Sequence, residues 1–327
     1  MMDTSFFKAF AAGLAFTFSS GCYYAHVAKG QWDVMNSVVS ASSVVMKSNP
    51  DISLDYVVSD IKDFAVDVIG LESNGSYSDF YPANREGMTF VVTASEKFSF
   101  NQYFWCYPIL GCSPHRGFFD EAKALDLEAK LKGEGLDTFV FPSVAYSTLG
   151  IFDDPVTPFM LDRGIYGLVE IVVHEMTHQK VFVPNQGDFN EELASFVGGK
   201  AAEQFFLSRG VNPERIIASL EFNKKRGRVF SSAMQSAIFR LNEVYNSGES
   251  EEYMLAAREV VFGDLKARAL EIYPNFPPER LEFNNARLLN EVRYSSDSSR
   301  IRGLWEKSGG SWNEFWKFVD IYVNENF

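Results

Sequence analysis

The sequence predicts an α+β fold, with a small sheet in its first half and mainly helices in its second half. Met88–Thr93 and Thr138–Phe141 are short runs rich in β-branched and aromatic residues, which is typical of strands. From about residue 161 onward, apolar residues recur at three- and four-residue spacings, which indicates a series of helices. The last of these helices is predicted over Trp312–Val323, with one apolar face.

Other stretches fill in this outline. Residues 31–69 carry apolar residues at helical spacing, so helix is expected there as well. An unusually aromatic stretch, Phe98–Phe119, separates the two predicted strands. A helix around Ile165–Met176 is followed by a break at Val183–Gly187 and by a second helix that opens at Asp188.

The composition is that of an ordinary globular protein, and its charge excludes one class of partner. The 327 residues include 43 acidic and 30 basic side chains, a net charge of −13. Nucleic acid is therefore not an expected partner, because binding it requires a basic face. No repeat or polar linker divides the chain, so residues 23–327 are expected to form a single domain.

Residues 1–22 are expected to be a lipoprotein-type signal peptide. Lys8 provides a short positive start, and Ala9–Phe18 is an apolar run too short to span a bilayer. A small residue before Cys22 resembles the site at which bacterial lipoproteins are lipidated. This predicts an exported protein, anchored through a lipid to a membrane of the bacterial cell envelope and facing the periplasm. An ordinary signal peptide and a buried N-terminal helix are the alternatives.

The other two cysteines, Cys106 and Cys112, flank a Pro- and Gly-containing segment that favours a turn. In an oxidising compartment this pair is expected to close a small-loop disulfide. Two buried thiols are the alternative interpretation.

Residues 174–178 form the motif His-Glu-Met-Thr-His. On a helix, His174 and His178 point the same way and can direct ring nitrogens at one ion. Glu175 lies beside them and can reach a metal-bound water without ligating the metal. Two imidazoles and a carboxylate base are what a zinc hydrolase requires, so one Zn²⁺ per chain is expected.

A catalytic zinc site with two histidines needs a third protein ligand and an open position for water. Glu191 lies thirteen residues after His178, near the start of a helix that can fold back across the short break. Glu192 is the competing candidate.

The HExxH motif followed by Asn190-Glu191 resembles the zincin peptidases whose third ligand is a glutamate. More narrowly, the chain resembles the family of predicted bacterial aminopeptidases with a lipoprotein-like start. The matching strings run almost from end to end and include Gly21–Tyr24, Trp105-Cys106, Gly111-Cys112, Ala145–Gly150, His174–Gln179, Phe189–Glu191, Tyr245–Gly248 and Asn284–Leu288. The resemblance implies a zincin-like fold, with His174, His178 and Glu191 as zinc ligands and Glu175 as the general base. Where some zincins place an Asp that orients a ligand histidine, this chain has Ser195.

The same resemblance suggests further site residues. Zincins bind extended substrates along an edge strand, for which Val144–Gly150 is the candidate, although it is equally compatible with an ordinary core strand. A tyrosine donor for the oxyanion is expected at Tyr294 or Tyr146, each of which is otherwise a packed aromatic residue. Arg116 is a candidate for binding a substrate carboxylate, or else it pairs with a structural acid.

His115 is interpreted as an ordinary loop histidine, and Glu249–Glu252 as the solvated start of a helix. The expected function is therefore zinc-dependent hydrolysis of peptide bonds in peptides or proteins, with aminopeptidase action implied by the resemblance. The chain contains no Gly-x-Met-Glu-Asn string of the kind that grips a substrate's free amine in many zinc aminopeptidases. A zinc endopeptidase and a membrane-tethered zincin-fold binding protein with little catalysis are the alternatives.

Overall fold

The computed structural model describes residues 23–47, 49–83, 87–107, 111–143, 153–295 and 299–327. The expected signal peptide with Cys22 and the candidate edge strand Val144–Gly150 with Tyr146 lie outside the described residues. Within them the fold is α+β, with small sheets in the first half and helices through the second.

The first part of the chain alternates helices with short strand pairs. Residues 23–35 form helix α1. The strands that follow are β1 (Val39–Ser40), β2 (Val45–Met46), β3 (Asn49–Ser53) and, further on, β4 (Asp79–Phe80). β1 pairs with β4 and β2 with β3, in both cases antiparallel. Helix α2 (Leu54–Phe64) begins at Ser53, whose hydroxyl accepts from the Tyr56 N–H, and continues as a π-helical turn over Ala65–Ile69.

The expectation of helix throughout residues 31–69 is therefore wrong for its middle. That segment is rich in serine, and serine hydroxyls bind nearby backbone groups in place of helical hydrogen bonds. Ser40 accepts from the Ser42 N–H, and the Ser43 hydroxyl donates to the Ser40 carbonyl at 2.7 Å. Pro50 then removes a backbone donor. The apolar residues of this stretch contribute to short strands instead.

The main sheet has three antiparallel strands in the order β8–β5–β9. β5 (Thr89–Ser95) is central, with β8 (Arg116–Phe118) on one side and β9 (Asp137–Ser143) on the other. The two predicted strands are confirmed as the β5–β9 pair. Helix α3 (Glu121–Gly133) packs on this sheet and begins at Asp120, whose carboxylate accepts from the Ala122 N–H.

The aromatic stretch between the predicted strands contains a small hairpin. Its strands, β6 (Trp105–Tyr107) and β7 (Gly111–Ser113), pair so that Cys106 faces Cys112. The chain then enters β8 of the main sheet. Aromatic side chains suit this arrangement because they cover short, half-buried strands.

The second half is helical apart from short connections, as predicted. The helices are α4 (Pro158–Leu161), α5 (Gly164–Lys180), α6 (Gly187–Ser208), α7 (Pro213–Tyr245), α8 (Glu251–Ile272), α9 (Asn285–Ser295), α10 (Ser299–Lys307) and α11 (Trp312–Asn326). The predicted helix start at Glu249–Glu252 is confirmed, since Ser250 caps α8. None of the described helices combines the length and apolar character needed to cross a membrane.

The largest apolar core surrounds α5 and α6. Phe189, Leu193 and Val197 of α6 are buried in it together with one face of α5. The predicted apolar face of α11 is confirmed, because Trp312, Phe315, Trp316 and Val319 are buried there too.

Helix α9 is fastened to the sheet by an asparagine pair. The fully buried Asn285 donates to the backbone carbonyls of Glu96, Lys97 and Ser99 at 3.0–3.1 Å, and its Oδ1 accepts from Tyr245 at 2.8 Å. Asn284 donates to the Thr138 carbonyl at 2.8 Å. These bonds give α9 a defined position beside β5, β9 and α6.

Candidate functional site

Helices α5 and α6 run antiparallel and in close contact, and a glycine permits this approach. A Cβ atom at Gly198 would lie 2.6 Å from the Glu170 carbonyl oxygen and 3.4 Å from His174 Cβ. The absence of that atom allows the backbone of α6 to approach α5 beside the HExxH motif. The helix carrying Glu191 is thereby brought against the helix carrying both histidines.

The three predicted ligands meet at one point. The Nε2 atoms of His174 and His178 are 3.1 Å apart. Glu191 Oε2 is 3.4 Å from His174 Nε2, and its Oε1 is 3.6 Å from His178 Nε2. One donor atom from each of the three residues lies within 4.8 Å of the others. Two imidazole nitrogens and a carboxylate oxygen are a donor set that suits zinc with one position left for water.

The side chains of this cluster strongly affect one another's protonation. Burial alone would raise the pKa of Glu191, but a hydrogen bond to His174 and the charges of both histidines lower it to about 2. Burial lowers the pKa of His178 to about 4, against the opposing effect of Glu191. For His174 burial also acts downward, yet the hydrogen bond to Glu191 and the neighbouring carboxylates outweigh it and raise the pKa. The cluster holds an ionised carboxylate against imidazole nitrogens, as a cation site requires.

The connection between α5 and α6 is closed by Asn190. Its Oδ1 accepts from the Val183 N–H and its Nδ2 donates to the Val183 carbonyl, both at 2.9 Å. The asparagine is buried and precedes Glu191 directly. The Asn-Glu pair of the sequence motif thus combines a residue that shapes the turn with one that faces the histidines.

The competing candidate, Glu192, faces a different partner. Its carboxylate is buried and accepts hydrogen bonds from the Arg300 guanidinium on α10. Ser195 is exposed. The geometry therefore favours Glu191 over Glu192 as the residue that joins the histidine pair.

Glu175 occupies the position next to His174 on α5 and is half-buried. The pKa of the nearby Tyr77 is raised well above its usual value by burial and by the negative charges of Glu175 and Asp154. The backbone of Tyr77 is left-handed, with φ of 68°, and its N–H donates to the Asp154 carbonyl at 2.6 Å. A buried tyrosine in this conformation beside the expected base was not foreseen, because nothing in the local sequence distinguishes it from the other 13 tyrosines.

His115 lies in the connection between β7 and β8, so it is a loop histidine as expected, but its side chain makes specific contacts. Its ring is half-buried, forms a hydrogen bond of 2.9 Å through Nε2 with Asn290 Oδ1 of α9, and packs edge-on against Phe141. Burial and the charge of Arg293 lower its pKa to about 4, while Asn290, Glu191 and Asp188 act in the opposite direction. His115 thus lies within the electrostatic reach of Glu191. The scarcity of histidine, four in the chain, was the available signal for it.

The remaining predicted residues are placed as follows. Cys106 and Cys112 are joined by a disulfide in the β6–β7 hairpin. The Arg116 guanidinium lies 3.9 Å from the centre of the Tyr23 ring, so it stacks on an aromatic residue of α1. Tyr294 lies near the end of α9, and its side chain is not among those described. Tyr146 and Cys22 fall outside the described residues.

The fold and the site together define an α+β protein with a candidate metal centre on two antiparallel helices. The sequence profile of the family described as "Putative aminopeptidase" matches residues 22–325, and the chain belongs to this family. No curated protein matches the chain, and no solved structure does either. The resemblance to aminopeptidases is confirmed at the level of the family, while the zincin fold and the zinc ion remain predictions.

Proposed function

We propose that this chain is a zinc-dependent peptidase with aminopeptidase action. The observation that carries the proposal is the convergence of His174, His178 and Glu191, with Glu175 beside them on the same helix. Membership of the aminopeptidase family supports the choice of peptide substrates. The three converging residues would hold the ion.

When bound, zinc supplies Lewis-acid chemistry, lowering the pKa of water and polarising a peptide carbonyl. Glu175 would take the proton of the attacking water and deliver it to the leaving amine. His174 and His178 are suited to act together as ligands, because their Nε2 atoms lie 3.1 Å apart and both face the Glu191 carboxylate. The hydrogen bonds of Asn190 to Val183 and the close approach at Gly198 fix the position of α6 against α5. They thereby hold Glu191 opposite the two histidines.

The substitution Glu175→Gln tests this mechanism. The variant retains all three ligands, so it should bind zinc like the wild type, while kcat for peptide hydrolysis falls about 10²- to 10⁴-fold. Glu121→Gln, at an exposed position in the first turn of α3, is the matched control and should leave kcat unchanged. Full activity in Glu175→Gln would contradict the assigned role of the base.

Aminopeptidase and endopeptidase action are separated by a peptide library digested in two forms, with free and with acetylated N-termini. The proposal predicts that residues are released one at a time from free N-termini only. Internal cuts in acetylated peptides would instead establish the endopeptidase alternative.

We also propose that the chain is exported and attached to a membrane through lipid on Cys22. The Cys106–Cys112 disulfide supports export, because such bonds persist in oxidising compartments. Mass spectrometry of the mature protein should detect a diacylglycerol-modified Cys22 at its N-terminus. A chain that retains Met1 in the cell would refute this assignment.

A further inference from the structure

The connection between α5 and α6 controls the geometry of the candidate metal centre. His178 lies in the last turn of α5 and Glu191 in the second turn of α6, so the short segment 181–186 sets their separation. Asn190 closes this segment from the inside through Val183. A second contact joins the same segment to the β6–β7 hairpin.

That second contact is made by Asn185. Its backbone is left-handed, with φ of 63°. This conformation costs a non-glycine residue free energy, which contacts with the surrounding structure must offset. Its Oδ1 accepts a hydrogen bond from the Cys112 N–H at 2.8 Å. The side chain thus links the connection to strand β7.

The fit between β7 and Asn185 is close. Gly111, with φ of 75°, lies so near that a Cβ atom on it would be 2.3 Å from Asn185 Oδ1. Only glycine allows both this backbone conformation and this approach. The next residue, Cys112, donates the hydrogen bond and is joined to Cys106 across the hairpin. A covalently closed hairpin is therefore docked on the connection between the two ligand-bearing helices.

We propose that Asn185 is a positioning residue of the metal centre, through which the Cys106–Cys112 disulfide acts on metal affinity. The disulfide restricts the conformations of the hairpin and so keeps the Cys112 N–H directed at Asn185. With the hairpin fixed, segment 181–186 is already ordered before zinc binds. Zinc binding then loses less free energy to ordering that segment. This inference rests on the proposed zinc centre and adds a redox-sensitive brace to it.

A double-mutant cycle on zinc affinity tests the inference. The dissociation constant for zinc is measured by competition with a chromophoric chelator for the wild type, Asn185→Gly, the Cys106→Ser/Cys112→Ser protein and the triple variant. Serine substitutions replace chemical reduction, because thiol reductants themselves bind zinc. Asn185→Gly keeps the backbone freedom that the turn needs but removes the acceptor.

Each change alone should raise the dissociation constant about two- to tenfold, the range that one net hydrogen bond is worth. The triple variant should be no weaker than the weaker of its two parents, because both changes break the same link. Asn185→Asp retains an acceptor oxygen and should bind zinc at least as tightly as the wild type does. In all variants circular dichroism should report an unchanged helix content.

Three results would overturn the inference: no effect of either change alone, multiplied effects in the triple variant, or an Asn185→Asp protein as weak as Asn185→Gly. If the serine protein does not fold, Gly111→Ala replaces it in the cycle, since the added Cβ separates the hairpin from Asn185 while leaving the disulfide intact. A wild type that binds no zinc would overturn the proposed function together with this inference. A zinc-binding wild type that is indifferent to Asn185 would overturn the inference alone.

Discussion

Two adjacent glycines on α6 provide a matched test of how the metal-bearing helices are packed. At Gly198 a Cβ atom would lie 2.6 Å from the backbone oxygen of Glu170, 0.8 Å closer than the 3.4 Å at which ordinary contact begins. At Gly199 the nearest atom would be Glu170 Oε1 at 3.5 Å, an ordinary contact with a side chain. Substitution by alanine should therefore have opposite effects at the two positions.

The magnitudes follow from these distances. Alanine gains about 0.5–1 kcal/mol over glycine within a helix. At Gly199 this gain should appear as added stability. At Gly198 the clash with backbone must be relieved by moving α6, and overpacking of this kind costs about 1–3 kcal/mol. The expected net effect of Gly198→Ala is a loss of up to about 2.5 kcal/mol, with about 1 kcal/mol at the centre of these ranges.

Urea denaturation of the two variants measures these free energies of unfolding, and competition with a chelator measures zinc affinity alongside. Gly198→Ala should also weaken zinc binding, because moving α6 away from the Glu170 carbonyl shifts Glu191 relative to the two histidines of α5. Gly199→Ala should leave zinc affinity unchanged. If the two variants are equally stable and bind zinc equally well, the close approach at Gly198 does not set the geometry of the site.

Four further substitutions test neighbouring parts of the account. Glu191→Gln should lower zinc affinity by more than the ~10- to 100-fold expected for a residue outside the ligand shell. Glu192→Gln should still bind zinc but be less stable than the wild type, because Arg300 loses its buried carboxylate partner. If chelator competition shows that Glu192→Gln loses zinc affinity and Glu191→Gln does not, Glu192 is the ligand. Asn190→Ala should destabilise the protein by about 2–4 kcal/mol in urea, since both polar groups of the Val183 backbone lose their partner, and a change below 0.5 kcal/mol would contradict that role. Asn285→Ala should cost about 3 kcal/mol by the same assay, because four hydrogen bonds to a fully buried side chain are lost, and near-wild-type stability would show that α9 is held by other contacts.

Local sequence signals were sufficient where one physical effect dominated. The strand pair β5–β9 followed from dense β-branched and aromatic residues, and α5 from apolar residues at helical spacing. The meeting of His174 and His178 follows from helix periodicity alone, and Glu191 could be added because the break before it is short enough to return the chain. These features depend on residues that are close together in the sequence.

Features that depend on distant residues could not be foreseen. The partner of Glu192 is Arg300, more than a hundred residues away, and the ring of His115 is held by Asn290 at a still greater separation. In the sequence, Asn284 and Asn285 only mark the family resemblance, whereas in the fold Asn285 binds backbone carbonyls from the loop after β5 and Asn284 binds the Thr138 carbonyl of β9. In the middle of residues 31–69 the apolar spacing predicts helix, but the local hydrogen bonds of serine side chains replace helical ones there.

The central claim is that one zinc ion binds where His174, His178 and Glu191 meet. It is tested most directly by crystals of the purified protein, with diffraction data recorded on both sides of the zinc absorption edge. The account predicts a single anomalous peak per chain, within ~2.3 Å of both Nε2 atoms and of a Glu191 carboxylate oxygen. A peptide-cleaving protein whose crystals show no zinc peak at these three residues would contradict it.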